Sequence, residues 1–198
     1  MSDESKKLSK KFWIIACSIC CFLAIFLIMG FSIVHNKKPK VVNEKLKGGN
    51  IILNYTGNTS GLTINGMTPT SDIVGIKNNT DGSYFDFSVK VDLNKASNVN
   101  YEISIEKNRG LSTINDSDIK IYLEKEVDGT YEKVFGPTNF KGITADSKLG
   151  SKKGSMILYK NEISKDETTN YRLRLWMSDT CLMQSGNYSV AVLINGKA

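Results

Sequence analysis

The chain has 198 residues, with 26 Lys and Arg against 20 Asp and Glu, one histidine and four cysteines. Its formal charge of +6 is unevenly placed: residues 48–198 hold 17 basic and 17 acidic side chains, which excludes a nucleic-acid surface there. Because the single histidine is His35, histidine triads and histidine metal sites are excluded from the same region, and its lone Cys181 excludes an internal disulfide.

Residues 1–13 are polar and lack apolar periodicity, which predicts a disordered cytoplasmic tail. From Ile14 to Val34 no charged side chain occurs. At about 1.5 Å per residue that stretch makes a helix of roughly 31 Å, matching the ~30 Å hydrocarbon layer of a bilayer, and predicts a transmembrane helix. It is too long for the apolar core of a secretory signal, and His35-Asn36-Lys37-Lys38 offers no small-x-small cleavage site. Lys6, Lys7, Lys10 and Lys11 on one side and Lys37, Lys38, Lys40, Lys45 and Lys47 on the other can meet lipid head groups. A short basic head before a first span stays inside, so the carboxy-terminal portion is expected outside a plasma membrane crossed once. Cys17, Cys20 and Cys21 read as small apolar fillers of that helix. The Lys, Asn, Pro and Gly of residues 35–49 predict a flexible basic stalk, and residues 50–198 a single domain.

Within that domain Ile51–Tyr55 and Leu62–Ile64 are short β-prone runs closed by Gly and Asn-Gly. After Asp81-Gly82, Phe85, Phe87, Val89, Val91 and Leu93 alternate with polar residues, the period of a strand buried on one face. Tyr101, Ile103 and Ile105 alternate with Glu102, Ser104 and Glu106 and are expected to form its antiparallel partner. Ile119–Glu124, the turn Asp128-Gly129 and Tyr131–Phe135 spell a hairpin. Residues 136–154 read as an irregular excursion and a candidate contact region. Runs at 155–159, 171–177 and 188–194 complete about nine strands, with no helix outside the span. The fold expected is all-β, an antiparallel β-sandwich of immunoglobulin-like or jelly-roll type.

The run 171–177 places Arg172, Arg174 and Trp176 on the face opposite Tyr171, Leu173, Leu175 and Met177. An indole among guanidinium groups is a candidate contact for a partner, a glycan or an acidic ligand; alternatively the arginines cover Trp176 and pair with acidic residues on neighbouring strands. Catalytic motifs are weak. Ser117-Asp118-Ile119-Lys120 has the Ser-x-x-Lys spacing but opens a strand, where the two side chains diverge. Asp179-Thr180-Cys181 has no histidine to activate its thiol, and Asp116 and Asp118 lack the loop that would close around calcium. Gly150 to Gly154 lacks the phosphate-loop spacing. No catalytic residue, cofactor or metal is expected.

Leu62-Thr63-Ile64-Asn65, Pro69-Thr70-Ser71-Asp72 and Asn170–Met177 together resemble single-pass surface proteins of Firmicutes and their wall-poor Mollicutes relatives. In these a hydrophobic segment precedes one β-sandwich whose penultimate strand reads Y-x-L-R-x-W. The layout is more distantly similar to the TasA and camelysin group, exported proteins that form extracellular biofilm-matrix fibres. Where that group carries small residues and an aromatic at its cleavage site, this chain has His35-Asn36-Lys37-Lys38. The function expected is that of a non-enzymatic surface protein acting by contact, in adhesion or in surface and matrix assembly, with an extended segment such as Ile51–Tyr55 adding a strand to a neighbour's open sheet edge. The alternative is a ligand-binding or accessory module of a membrane complex that uses Trp176 and residues 136–154.

Overall fold

The structure, a computed structural model, describes residues 40–46, 49–55, 60–80, 82–145, 155–182 and 186–198. The predicted tail, the apolar stretch 14–34 and the first part of the stalk lie outside them. Among the described residues no helix is long and apolar enough to cross a membrane.

Alternation makes the strands. In β5 (Tyr84–Asp92) Phe85, Phe87, Val89 and Val91 are buried while Asp86 and Lys90 are exposed, so one face seeks a second layer. The larger sheet runs β1 (Lys40–Leu46), β2 (Gly49–Tyr55), β5, β10 (Glu167–Ser178), β7 (Ile119–Val127), β8 (Thr130–Asn139), each antiparallel to the next. The two-residue β4 (Pro69–Thr70) lies parallel to the end of β10. Facing it is a sheet of four antiparallel strands in the order β3 (Gly61–Ile64), β11 (Tyr188–Lys197), β6 (Val99–Lys107), β9 (Met156–Ile163). The described residues therefore form an all-β fold of two antiparallel layers with one short helix, and one core lies between the layers.

At its centre Tyr171 of β10 stacks on Phe87, with ring centroids 5.5 Å apart, and its hydroxyl meets that of Tyr101 on β6 at 2.5 Å. Asn161 donates to Tyr101 Oη at 3.3 Å, so both buried phenols are satisfied across the layers. Burial pushes both hydroxyls above the ordinary tyrosine range, which keeps them protonated.

Several expectations need correction. Residues 40–46, read as part of the flexible stalk, form β1, paired along its length with β2. A polar strand is tolerated at a sheet edge, where one side of the backbone stays in water. Ile51–Tyr55 consequently has neighbours on both sides, β1 and β5, and is not free to extend another molecule's sheet. Strand β6 is not the partner of β5; it sits in the opposite layer between β11 and β9. Local alternation says that a strand has an apolar face, not whether its sequence neighbour lies beside it or across the core. The polar residues Glu102 and Ser104 of β6 are buried; Glu102 stands in register between Asn195 and Lys160. The hairpin is as expected, with Asp128 and Gly129 both at positive φ (50° and 79°), but β8 continues to Asn139. Its register against β7 slips twice, which is how an edge strand carries Gly136-Pro137. Residues 146–154 lie outside the described residues. Finally, Asp72–Lys77 forms a helix, α1, where none was expected.

Candidate functional site

Strand β10 positions the predicted residues. Asn170, Arg172, Arg174 and Trp176 alternate with core residues and rise from the outer face of the larger sheet, flanked by β5 and β7. In register, Arg172 lies between Asp86 and Glu124, and Arg174 between Tyr84 and Tyr122.

These side chains form one network. Arg172 donates from Nε and Nη2 to the two carboxylate oxygens of Asp86, each at 2.7 Å, the bidentate geometry that a planar guanidinium favours. Its Cζ lies 4.1 Å from the Tyr84 ring centroid and 4.4 Å from that of Tyr131, so the cation is layered between two aromatic rings. The bonds to Asp86 push its pKa further up. Arg174 is only 4% exposed and donates to Glu124 Oε2 at 2.8 Å; it also donates to the Asn78 carbonyl and to Asn79 Oδ1 at 3.0 Å. A buried guanidinium needs that many acceptors, because each unpaired N–H would be desolvated without return.

Trp176 is 5% exposed, and what covers it is α1. Gly75 rests on the indole so closely that a Cβ there would come within 2.3 Å of the ring. Asp72, in the first turn of α1, accepts from Trp176 Nε1 at 3.2 Å and faces Lys120 Nζ at 3.7 Å. Of the two readings of the 171–177 face, the geometry matches the one in which the arginines pair with acidic residues across the strands. The wet indole is corrected, and its cover is the short helix α1. Sequence reasoning missed that cover because six residues with a central Gly give no helical periodicity. The sole signal was Ser71-Asp72 at the start, a common opening for a helix.

Beside Arg172 the face stays open. A groove of about 260 Å³ crosses it, lined by Asn54 of β2, Asp86 and Ser88 of β5, Tyr131 of β8 and Asn170 of β10, with Tyr55 and Phe87 also contributing. Asn170 gives an amide N–H to Glu126 at 2.6 Å, and Asn54 reaches Ser88 Oγ at a long 3.5 Å. Burial, then the charge of Asp86, push the Tyr131 phenol up, so its hydroxyl keeps its proton.

The remaining motifs do not assemble. Ser117 Oγ turns to its neighbour Asp118 at 3.0 Å, while Lys120 faces Asp72. Cys181 is half-buried, and burial raises its thiol pKa, the opposite of what a nucleophile needs. Asp116 is held by Lys107 at 2.5 Å and Tyr188 at 2.8 Å. Burial pushes its carboxyl up, but those hydrogen bonds and the lysine charge outweigh that and leave it below the ordinary range. Among the described residues no three His, Cys, Asp or Glu side chains converge as a metal site would require.

No protein-family model matches the chain, and no curated protein matches it. Among solved structures it is similar to the collagen binding domain of the Erysipelothrix rhusiopathiae surface protein RspB, at 11% identity and a TM-score of 0.20, over 77% of this chain and 66% of that one. At that TM-score the two share too little geometry for a ligand to be carried across.

Proposed function

We propose that the chain is a non-enzymatic cell-surface protein, tethered by residues 14–34 with its β-sandwich outside the plasma membrane, that works by contact in adhesion or surface assembly. The observation that carries this reading is the outer face of the larger sheet. Its Arg172, Tyr84, Tyr131 and Asp86 are fixed by one another before any partner arrives, so a partner meeting them orders few side chains. The ionisable groups of that face are spent on structure, which favours a binding role over a catalytic one.

Contact through a face also fits the edges. Strand β8 carries Pro137 and register slips, β3 has four residues, and β9 carries Lys160 and Glu162 and shifts register against β6. Charge, proline, irregularity and shortness are what keep sheet edges from pairing between molecules. The accessory-module alternative draws on Trp176, which α1 covers, and on residues 136–154, of which 146–154 lie outside the described residues.

The test is to express the full chain with a carboxy-terminal tag and treat intact cells with protease. Loss of the tag and retention of a membrane-embedded fragment is the expected result. A protected tag would remove the surface role.

A further inference from the structure

The open groove beside Arg172 has a chemistry the network around it does not use. Its polar groups are the amides of Asn54 and Asn170, the hydroxyl of Ser88 and the carboxylate of Asp86, and Tyr131 borders it with an aromatic ring. The one lining charge is neutralised in place, since both Asp86 oxygens are bound by Arg172. The guanidinium is in turn enclosed between Tyr84 and Tyr131, so it offers no cation to an anionic ligand. What remains, next to a ring, is the carbonyl and second N–H of Asn170, whose first N–H goes to Glu126, with the Asn54 amide and the Ser88 hydroxyl joined only by a long 3.5 Å contact. Amide and hydroxyl groups in that mixture match vicinal hydroxyls, each of which must both give and take a hydrogen bond. A ring beside them matches the C–H face of a pyranose. An extended peptide fits less well, because it is read by free backbone groups at a sheet edge, and this groove crosses β2, β5 and β10, whose ladders are closed.

We infer that the groove binds a neutral carbohydrate, seating one sugar unit of a glycan with Tyr131 against its C–H face and Asn54, Ser88 and Asn170 on its hydroxyls. The volume of about 260 Å³ is just below the range typical of drug-sized ligands, as a site for one unit of a longer chain should be. The inference names the ligand of the contact surface proposed above and rests on that reading for its location. Asn54 and Asn170 are the specificity-determining residues, because they stand on β2 and β10, two strands apart, and so space the hydroxyls they can read.

The full-length chain in a sugar-free detergent is titrated calorimetrically with cellohexaose, mannohexaose, xylohexaose and chitohexaose. At least one is expected to bind with an affinity that does not change between low and high salt. Asn54→Ala and Asn170→Ala should each weaken it by about tenfold at unchanged melting temperature, the loss of one well-made hydrogen bond. Tyr131→Ala should abolish it, and saturation-transfer NMR should mark one C–H face of the bound unit in the parent chain. Absence of binding to all four sugars at millimolar concentration overturns the inference. So does binding that the asparagine variants leave intact, or binding that collapses with salt. Protease shaving separates this from the surface reading: an exposed domain that ignores sugars sinks the groove alone, and a protected domain sinks the location whatever it binds.

Discussion

Arg174 shows what a buried charge demands. With Arg174 4% and Glu124 6% exposed, neither can be hydrated, and their 2.8 Å contact is what makes each tolerable. Arg174→Met should therefore destabilise by about 3–5 kcal/mol, because Glu124 is left uncompensated. Arg174→Met with Glu124→Leu should regain most of that loss, read as the urea midpoint at constant m-value. The tyrosine pair in the core makes a second, pH-dependent statement. Tyr101 and Tyr171 hold their protons in the fold, through burial, where the unfolded chain would release them near pH 10. Their contribution is complete below about pH 10 and declines as pH rises further, since only the unfolded state gains by ionising. Tyrosinate absorbance from these two should consequently appear together with loss of near-ultraviolet circular dichroism, and Tyr171→Phe should cost about 0.5–1.5 kcal/mol at neutral pH.

Helix α1 is held by its contacts with β10 and β7, Gly75 and Asp72 on Trp176 and Asp72 facing Lys120, rather than by its own propensity. Six residues cannot sustain a helix in water, and Ile73 is 70% exposed, so the seat of Gly75 on Trp176, with the bonds of Asp72, keeps it down. Gly75→Val should lift α1 at a cost of about 1–3 kcal/mol and shift Trp176 emission to the red, measured in a Trp13→Phe background. At the other end of the sheet β1 shields β2. Removing residues 40–46 would leave the ladder of Gly49–Tyr55 unpaired on one side beside the apolar Ile51, Ile52 and Leu53. Light scattering should then report association that the intact chain does not show. An unchanged particle size would mean that β1 protects nothing.

The two layers are joined at the centre of the molecule, since Tyr171 belongs to the larger sheet and Tyr101 to the smaller. They also share one apolar core. Neither sheet can bury its inner face without the other, so tyrosine near-ultraviolet dichroism from the core and Trp176 emission from the outer face should follow one transition in urea. Separate midpoints would show that the outer network melts on its own. Such cooperativity keeps the groove rigid as long as the core is intact, because Asp86, Ser88 and Asn170 stand on strands whose opposite faces form that core.

By itself the sequence determined the β class, the Asp128-Gly129 hairpin and the shared face of Arg172, Arg174 and Trp176, because period two and turn chemistry act between residues close in the chain. It also determined that no histidine chemistry operates in residues 48–198. Only the tertiary structure decided that β6 crosses to the second layer, that the polar stretch 40–46 becomes an edge strand, and that a Gly-containing helix closes over Trp176. Each of those depends on what arrives from far along the chain: β2 offers β1 an unpaired ladder, and Trp176 offers α1 a surface that only glycine can approach. The groove is legible only in three dimensions for the same reason, since Asn54, Ser88, Tyr131 and Asn170 are ordinary polar and aromatic residues until four strands bring them to one face.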